Sequence, residues 1–253
     1  MINLMDYPLI IFVISMLVLW LSAKVGVLLR TKKALDEDTR EDFDLILAST
    51  LTLLGLIIGF TFSMATGRYD QRKNYEEEEA NAIGTEYLRA DLLPVADAAK
   101  AKRLLTTYVD QRILFYTTRN VDQLHQINAD TAQLQAQLWS TVQAPVAAQP
   151  TPVAAVVASG MNDVLNSQGY TQAAWWNRIP VAAWCLMGTI AICANVLMGY
   201  KVRNSKVAVV LLILPLTVSV ALFLIAEIDS PRSGIIRVIP QNLISLSQSL
   251  QGH

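Results

Sequence analysis

One apolar stretch of this chain carries small and hydroxylated residues at helical spacing. On a helical wheel, Ala48, Ser49, Thr52, Gly55, Gly59, Ser63, Thr66 and Asp70 fall on one face, while Leu54, Ile57 and Ile58 fall elsewhere. Gly55, Gly59, Ser63 and Gly67 recur at every fourth position. Such a stripe has two uses in a membrane. Small residues let helix backbones approach closely in lipid. Small and hydroxylated residues also leave room for water and offer hydrogen bonds to a passing ion. Thr52, Gly55, Gly59, Ser63 and Thr66 are therefore candidate pore-lining residues, and Phe60 and Phe62 beside them are a candidate hydrophobic constriction.

Two acidic groupings follow. Glu76, Glu77, Glu78 and Glu79 read most simply as a solvated helix face. In an oligomer they would form, with Asp70, an ion-attracting ring or vestibule. Further on, the chain reads Ala226-Glu227-Ile228-Asp229-Ser230-Pro231-Arg232. Carboxylates so near hydrocarbon are costly unless hydrated or paired. Arg68 and Arg72 emerge on the same side as Glu227 and Asp229, so a salt-bridged rim is expected there, with an ion-coordinating or proton-relay site as the alternative. On the opposite side, Lys24 can snorkel toward Asp42 or Asp44.

No enzyme pattern is present: no Gly-rich phosphate loop, no HExxH, no CxxC and no GxSxG. Cys185 and Cys193 lie eight residues apart in one apolar run, about 12 Å along a helix, too far for a disulfide. They read as packing residues. His125 and His253 are isolated, and neither a metal site nor a cofactor is expected.

The elements that must position these residues are four apolar runs. The 253 residues are 53% hydrophobic and 16% charged, against roughly 45–50% and about 25% in a soluble domain. With 20 Lys+Arg against 21 Asp+Glu, a generally basic nucleic-acid binder is excluded. About 20 apolar residues cross the hydrocarbon core as a helix, and residues 8–29, 45–65, 179–200 and 207–228 meet that length. Pro215 lies inside the last, as a kink. Only Asp6 is charged before the first run, which therefore reads as a retained span rather than a cleaved signal. Residues 1–65 hold spans one and two, 66–178 form a polar insert, and 179–253 hold spans three and four with a C-terminal tail. The expected class is an all-α membrane protein in a two-plus-two arrangement.

Four spans put both termini and the insert on one side. The short loops carry Arg30, Lys32, Lys33 and Arg40, and Lys201, Arg203 and Lys206. By the positive-inside rule these loops are cytoplasmic and the insert lies outside. Against this, Arg68, Arg72, Lys73, Arg178, Arg232 and Arg237 crowd the insert side.

The insert reads as helical. Residues 65–93 contain no proline and continue the second span, with Ala80, Ile83, Tyr87 and Leu88 at helical spacing, until Pro94 ends them. Helices follow over about 96–118, 121–142 and 153–166, with a loop at 144–152. Trp175, Trp176 and Tyr200 flank the third span as interfacial aromatics do.

Three segments resemble the bacterial bestrophin-like family of membrane proteins. They are Leu54-Gly55-Leu56-Ile57-Ile58-Gly59-Phe60-Thr61-Phe62-Ser63-Met64, then Glu79 through Pro94 (EANAIGTEYLRADLLP), then Ile228-Asp229-Ser230-Pro231-Arg232-Ser233-Gly234. The resemblance spans nearly the whole chain, with Arg232 where an aromatic is expected. It implies a distant relation to bestrophins, which are pentameric anion channels whose second transmembrane helix lines the pore. Carried over, it points to Gly59, Phe60, Phe62 and Ser63. In bestrophins the domain between spans two and three is cytoplasmic, whereas the loop charges here put it outside, in the periplasm of an inner-membrane protein. An acidic calcium clasp is not evident, so calcium gating does not transfer.

The leading expectation is a homo-oligomeric ion channel lined by the second span, with the lipid bilayer, further copies of the chain and small inorganic ions as partners. The alternative is a non-conducting scaffold or sensor whose insert binds a partner. A membrane enzyme is the weakest reading.

Overall fold

A computed structural model describes residues 6–30, 37–202 and 209–251. Lys32, Lys33, Arg203, Lys206 and His253 lie outside the described residues. Among those described, the chain is eight helices and one 3-10 turn, without strands. Four of the helices are long and apolar enough to cross a membrane.

Helix α1, Pro8–Leu29, starts with proline in its first turn, where the missing N–H costs nothing. Helix α2, Glu37–Arg89, runs 53 residues without interruption. It closes in a 3-10 turn, Ala90–Leu92, because Pro94 disfavours helix in the residue before it. Then come α3 (Val95–Thr117), α4 (Val121–Ala148), α5 (Pro152–Trp176), α6 (Val181–Lys201), α7 (Val210–Asp229) and α8 (Gln241–Gln251). Asn120 caps α4 by accepting the N–H groups of Asp122 and Gln123, at 2.8 and 3.2 Å. Thr151 caps α5 through the N–H of Ala154, at 3.1 Å.

Three boundaries differ from expectation. Helix α4 continues through Pro145 to Ala148, giving up the one ladder bond that residue 145 would make to the carbonyl of Thr141. The loop expected from residue 144 is thus only Gln149–Thr151. Helix α5 runs ten residues past the expected end, to Trp176. Helix α8 was not expected at all.

The described chain divides into two compact units. One comprises residues 1–68 and 178–237, the other 69–177 and 238–253. The C-terminal helix α8 therefore groups with the insert, not with the spans that precede it.

In the first unit, α1 packs against α6 and α7. The α1–α6 contact is backbone-close. A Cβ at Gly26 would overlap the backbone at Val196, and one at Gly199 would overlap the backbone of Ala23. Small residues replace the missing hydrophobic drive with tight contact, as lipid-embedded helices require. Phe43 stacks on Tyr200, 5.3 Å between centroids. Lys24 lies over the Trp20 ring, and Asp44, one of the two partners expected for it, pairs with Lys201 instead. Cys185 and Cys193 are exposed on the chain, not packed inside it.

In the second unit, Ile83, Leu105, Tyr108, Phe115, Leu138, Met161 and Leu243 are the centre of a single core. Each such side chain contributes about 1.5–3 kcal/mol on burial. Trp175 belongs to this core, packed edge-on against Phe115 and Tyr116. Only its neighbour Trp176 is exposed, so the expectation of an interfacial pair is corrected for Trp175.

Candidate functional site

The membrane portion of α2 has two faces. Leu47, Leu54, Thr61 and Ala65 are buried. Thr52, Gly55, Gly59 and Ser63 lie roughly opposite and are exposed, with Thr66 half-buried. A Cβ built at Gly55, Gly59 or Gly67 would meet nothing within 4 Å. Within the first unit the close helix packing thus occurs at Gly26 and Gly199, and Gly55, Gly59 and Gly67 take no part in it. Phe60 and Phe62 flank the open face and are 63% and 42% exposed. The hydroxyls of Thr52 and Thr66 donate to the carbonyls of Ala48 and Phe62, one turn back, at 2.9 and 3.0 Å. A crevice of about 190 Å³ among α1, α6 and α7 is lined by Ile11, Val18, Leu19 and Leu222 among others. It includes none of the candidate residues.

At the end of this unit Arg68 meets Asp229, Nη1 to Oδ1 3.6 Å. Both oxygens of Asp229 also accept the Ile179 N–H, at 3.2 Å. Arg178 donates to the Asp229 carbonyl and to Asp6. Of the four residues expected in a rim, Arg68 and Asp229 are brought together here, beside two residues not foreseen, Arg178 and Asp6. Glu227 does something different. It accepts the backbone N–H of Ile235, and the turn that brings Ile235 back requires Gly234, whose Cβ would lie 2.7 Å from the Glu227 carbonyl. Arg72 is likewise turned to backbone, donating to the carbonyls of Ala174 and Asn177 at 3.2 and 3.4 Å. These are the last carbonyls of α5, where a cation is favoured.

The four consecutive glutamates are split by burial. Glu77 and Glu78 are exposed, as is Asp70. Glu76 and Glu79 are 1% and 0% exposed, which corrects the reading of the run as one solvated face or ring. Positions 72, 76, 79, 83 and 86 form a single inward stripe on α2, continued by position 90 in the 3-10 turn, because steps of four and three keep residues on one face. Glu76 accepts the Leu243 N–H at 2.9 Å and the Asn242 amide at 2.7 Å. It thereby serves as the cap of α8. Glu79 pairs with Arg112, both side chains fully buried. Its Oε2 also accepts from Tyr116 at 3.1 Å and Thr171 at 3.2 Å. The Arg112 guanidinium lies over the Phe115 ring, 4.3 Å from its centroid. Burial, reinforced by the Glu79 charge, pushes the Tyr116 hydroxyl far above its ordinary range, so it remains a donor. Burial disfavours the Arg112 charge, but Glu79 beside it more than restores it.

Glu86 is the least expected. It is 1% exposed, and neither of its oxygens has a hydrogen-bond partner. Burial foremost, with Arg89 opposing and Asp163 adding, raises its carboxyl to about 8. The signal that could have found it is the same four-three stripe that holds Glu76 and Glu79. His125 is exposed on α4, and no group of metal-ligating side chains occurs among the described residues.

A family model described as Bestrophin-like domain matches residues 9–243. Three solved structures share the fold. A bacterial bestrophin homologue from Klebsiella pneumoniae, carrying a tryptophan-to-alanine change, superposes with a TM-score of 0.67 at 11% identity, covering 95% of this chain and 96% of its own. The same homologue phased on zinc gives 0.63 at 10%, covering 93% and 98%. A structure described as a membrane protein gives 0.67 at 10%, covering 95% and 97%. No curated protein matches the sequence.

Proposed function

This chain belongs to the Bestrophin-like domain family, and we propose that it forms a homo-oligomeric ion channel in which the α2 face of Thr52, Gly55, Gly59, Ser63 and Thr66 lines the pore. The observation that carries this reading is the unpacked state of that face. The close helix contact between α1 and α6 uses Gly26 and Gly199. Gly55, Gly59 and Gly67 are left open, and Thr52 and Ser63 on the same face are exposed. A polar, small-residue face exposed to lipid gains nothing, whereas the same face around a shared axis is hydrated. Phe60 and Phe62 are the constriction in this reading. Asp70, Glu77 and Glu78 supply charge at the vestibule, and Glu76 and Glu79 are structural. Pentameric order comes from the family resemblance. The insert and termini face outside, in the periplasm, as the basic short loops indicate.

The test is flux from liposomes containing the purified protein, with chloride and potassium gradients applied separately to read the sign of the ion. Flux above protein-free vesicles that rises in Phe60→Ala and Phe62→Ala supports the channel. Background flux in the wild type and both variants overturns it in favour of a non-conducting scaffold. That scaffold would use the open face only to pack against other copies of the chain.

A further inference from the structure

Glu86 is placed where a carboxylate would not be tolerated. It sits on the inward stripe of α2, in the unit built from the insert and α8. The chain of α5 passes directly over it at Gly160. A Cβ on Gly160 would overlap both the Glu86 carboxyl and the Arg89 guanidinium, so the absence of a side chain there makes the pocket that both groups enter. Glu79, a comparable buried acid two turns earlier, has Arg112, Tyr116 and Thr171 as partners. Glu86 has none. A buried carboxyl without partners is stable only when neutral.

We propose that Glu86 is a proton-controlled latch between α2 and α5: neutral, it packs against the bare backbone at Gly160, and on losing its proton it leaves that position for Arg89, loosening the α2–α5 contact. The ligand is a proton, bound at the carboxyl oxygen and released to solvent. The geometry supplies the neutral state and, beside it at Gly160, the cation that would receive the ionised carboxylate. Arg89 is three residues on, one turn away on the same helix face, and already lies against Gly160. On α5, Asp163 is one turn beyond Gly160, and its negative charge opposes an ionised Glu86 in the closed position. Asp91 in the 3-10 turn and Lys102 on α3 pair with each other.

The sign follows from linkage. An unfolded glutamate ionises near 4.5 and the folded Glu86 near 8. Between these values the folded state holds the extra proton. The stabilisation is complete at low pH and is lost as the pH rises toward about 8. This inference stands apart from the channel reading, since it concerns one extramembrane unit and has a structural readout.

The experiment is thermal unfolding of the full chain in detergent at pH 7 and pH 9, one unit either side of the Glu86 value of about 8. Infrared difference spectra over the same interval accompany it. The wild type is expected to lose several degrees of Tm and a protonated-carboxyl band on going to the higher pH. Glu86→Gln is expected to lose the band and flatten the Tm profile. Asp163→Asn should move the midpoint down in pH and Arg89→Gln should move it up, directions that a purely structural role would not produce. Gly160→Ala, which expels both side chains, should give the high-pH Tm at both values. A wild-type profile parallel to that of Glu86→Gln overturns the latch. If Glu86→Gln does not fold, the absence of a titrating carboxyl band in the wild type does the same.

Discussion

Arg72 and Glu76 stand one turn apart on α2 and close opposite ends of two different helices. The arginine donates to the last carbonyls of α5, and the glutamate accepts the first-turn N–H of Leu243 in α8. Each charge has the sign that the helix dipole at its end favours. Glu76→Ala removes an acceptor that α8 has no side chain of its own to replace. The expected cost is about 1–2 kcal/mol. It should be concentrated in α8, so hydrogen exchange of residues 241–251 should accelerate while α3 and α4 are unchanged. Glu76→Gln, which keeps an acceptor, should lose less.

The Glu79–Arg112 pair carries a larger penalty when broken on one side. Both side chains are fully buried, and an isolated charge left in such a place costs roughly 3–5 kcal/mol. Arg112→Met and Glu79→Leu should each lower the Tm strongly. The double variant should recover most of the loss, because no charge remains buried. Thermal melts of the three proteins form the double-mutant cycle that checks this.

Glycines that look alike in sequence should behave in opposite ways. Gly199→Val forces apart α1 and α6 and is expected to cost at least 1–3 kcal/mol, or to prevent folding. Gly59→Ala meets nothing within 4 Å and should leave the monomer's melting unchanged. If Gly59 lines a pore, the added methyl should instead reduce flux in the liposome assay. Equal destabilisation by the two substitutions would contradict the packing described for α1 and α6.

Orientation is checked by single cysteines in a background with Cys185 and Cys193 replaced by serine, since both native thiols are exposed. Arg40→Cys is expected to label with a membrane-impermeant reagent only from the cytoplasm. Gln123→Cys, exposed on α4, should label only from outside. The reverse pattern would place the insert in the cytoplasm.

The four spans were readable because long apolar runs have few alternatives. The helical insert was readable because leucines and aromatics recur along α3 and α4 with few breakers. Burial of Glu76, Glu79 and Glu86 was not read, although the stripe 72, 76, 79, 83, 86, 90 contains it. A charged residue is assigned to solvent by type unless a partner is known, and the partners Arg112, Tyr116 and Leu243 lie at least 33 residues away. Helix α8 was missed for a related reason. Its eleven residues are mostly Gln and Ser, and only Leu243, Leu246 and Leu250 mark an apolar side. The open face of α2 was visible as a stripe in the sequence. Its lack of packing became visible only once Gly26 and Gly199 were seen to make the close helix contact.

Val238 and Leu243 fill a core whose other buried members run from Ala80 to Trp175, yet both lie beyond α7 in the chain. During synthesis, the unit begun at α2 must wait for the third and fourth spans to be made before its last wall arrives. From Ile83 to Leu243 that interval is roughly 10–30 s at ~5–20 residues per second. Until then its apolar face is uncovered. The late arrival of α8 therefore couples completion of the extramembrane unit to prior delivery of the membrane helices, and orders the assembly of the protein in time.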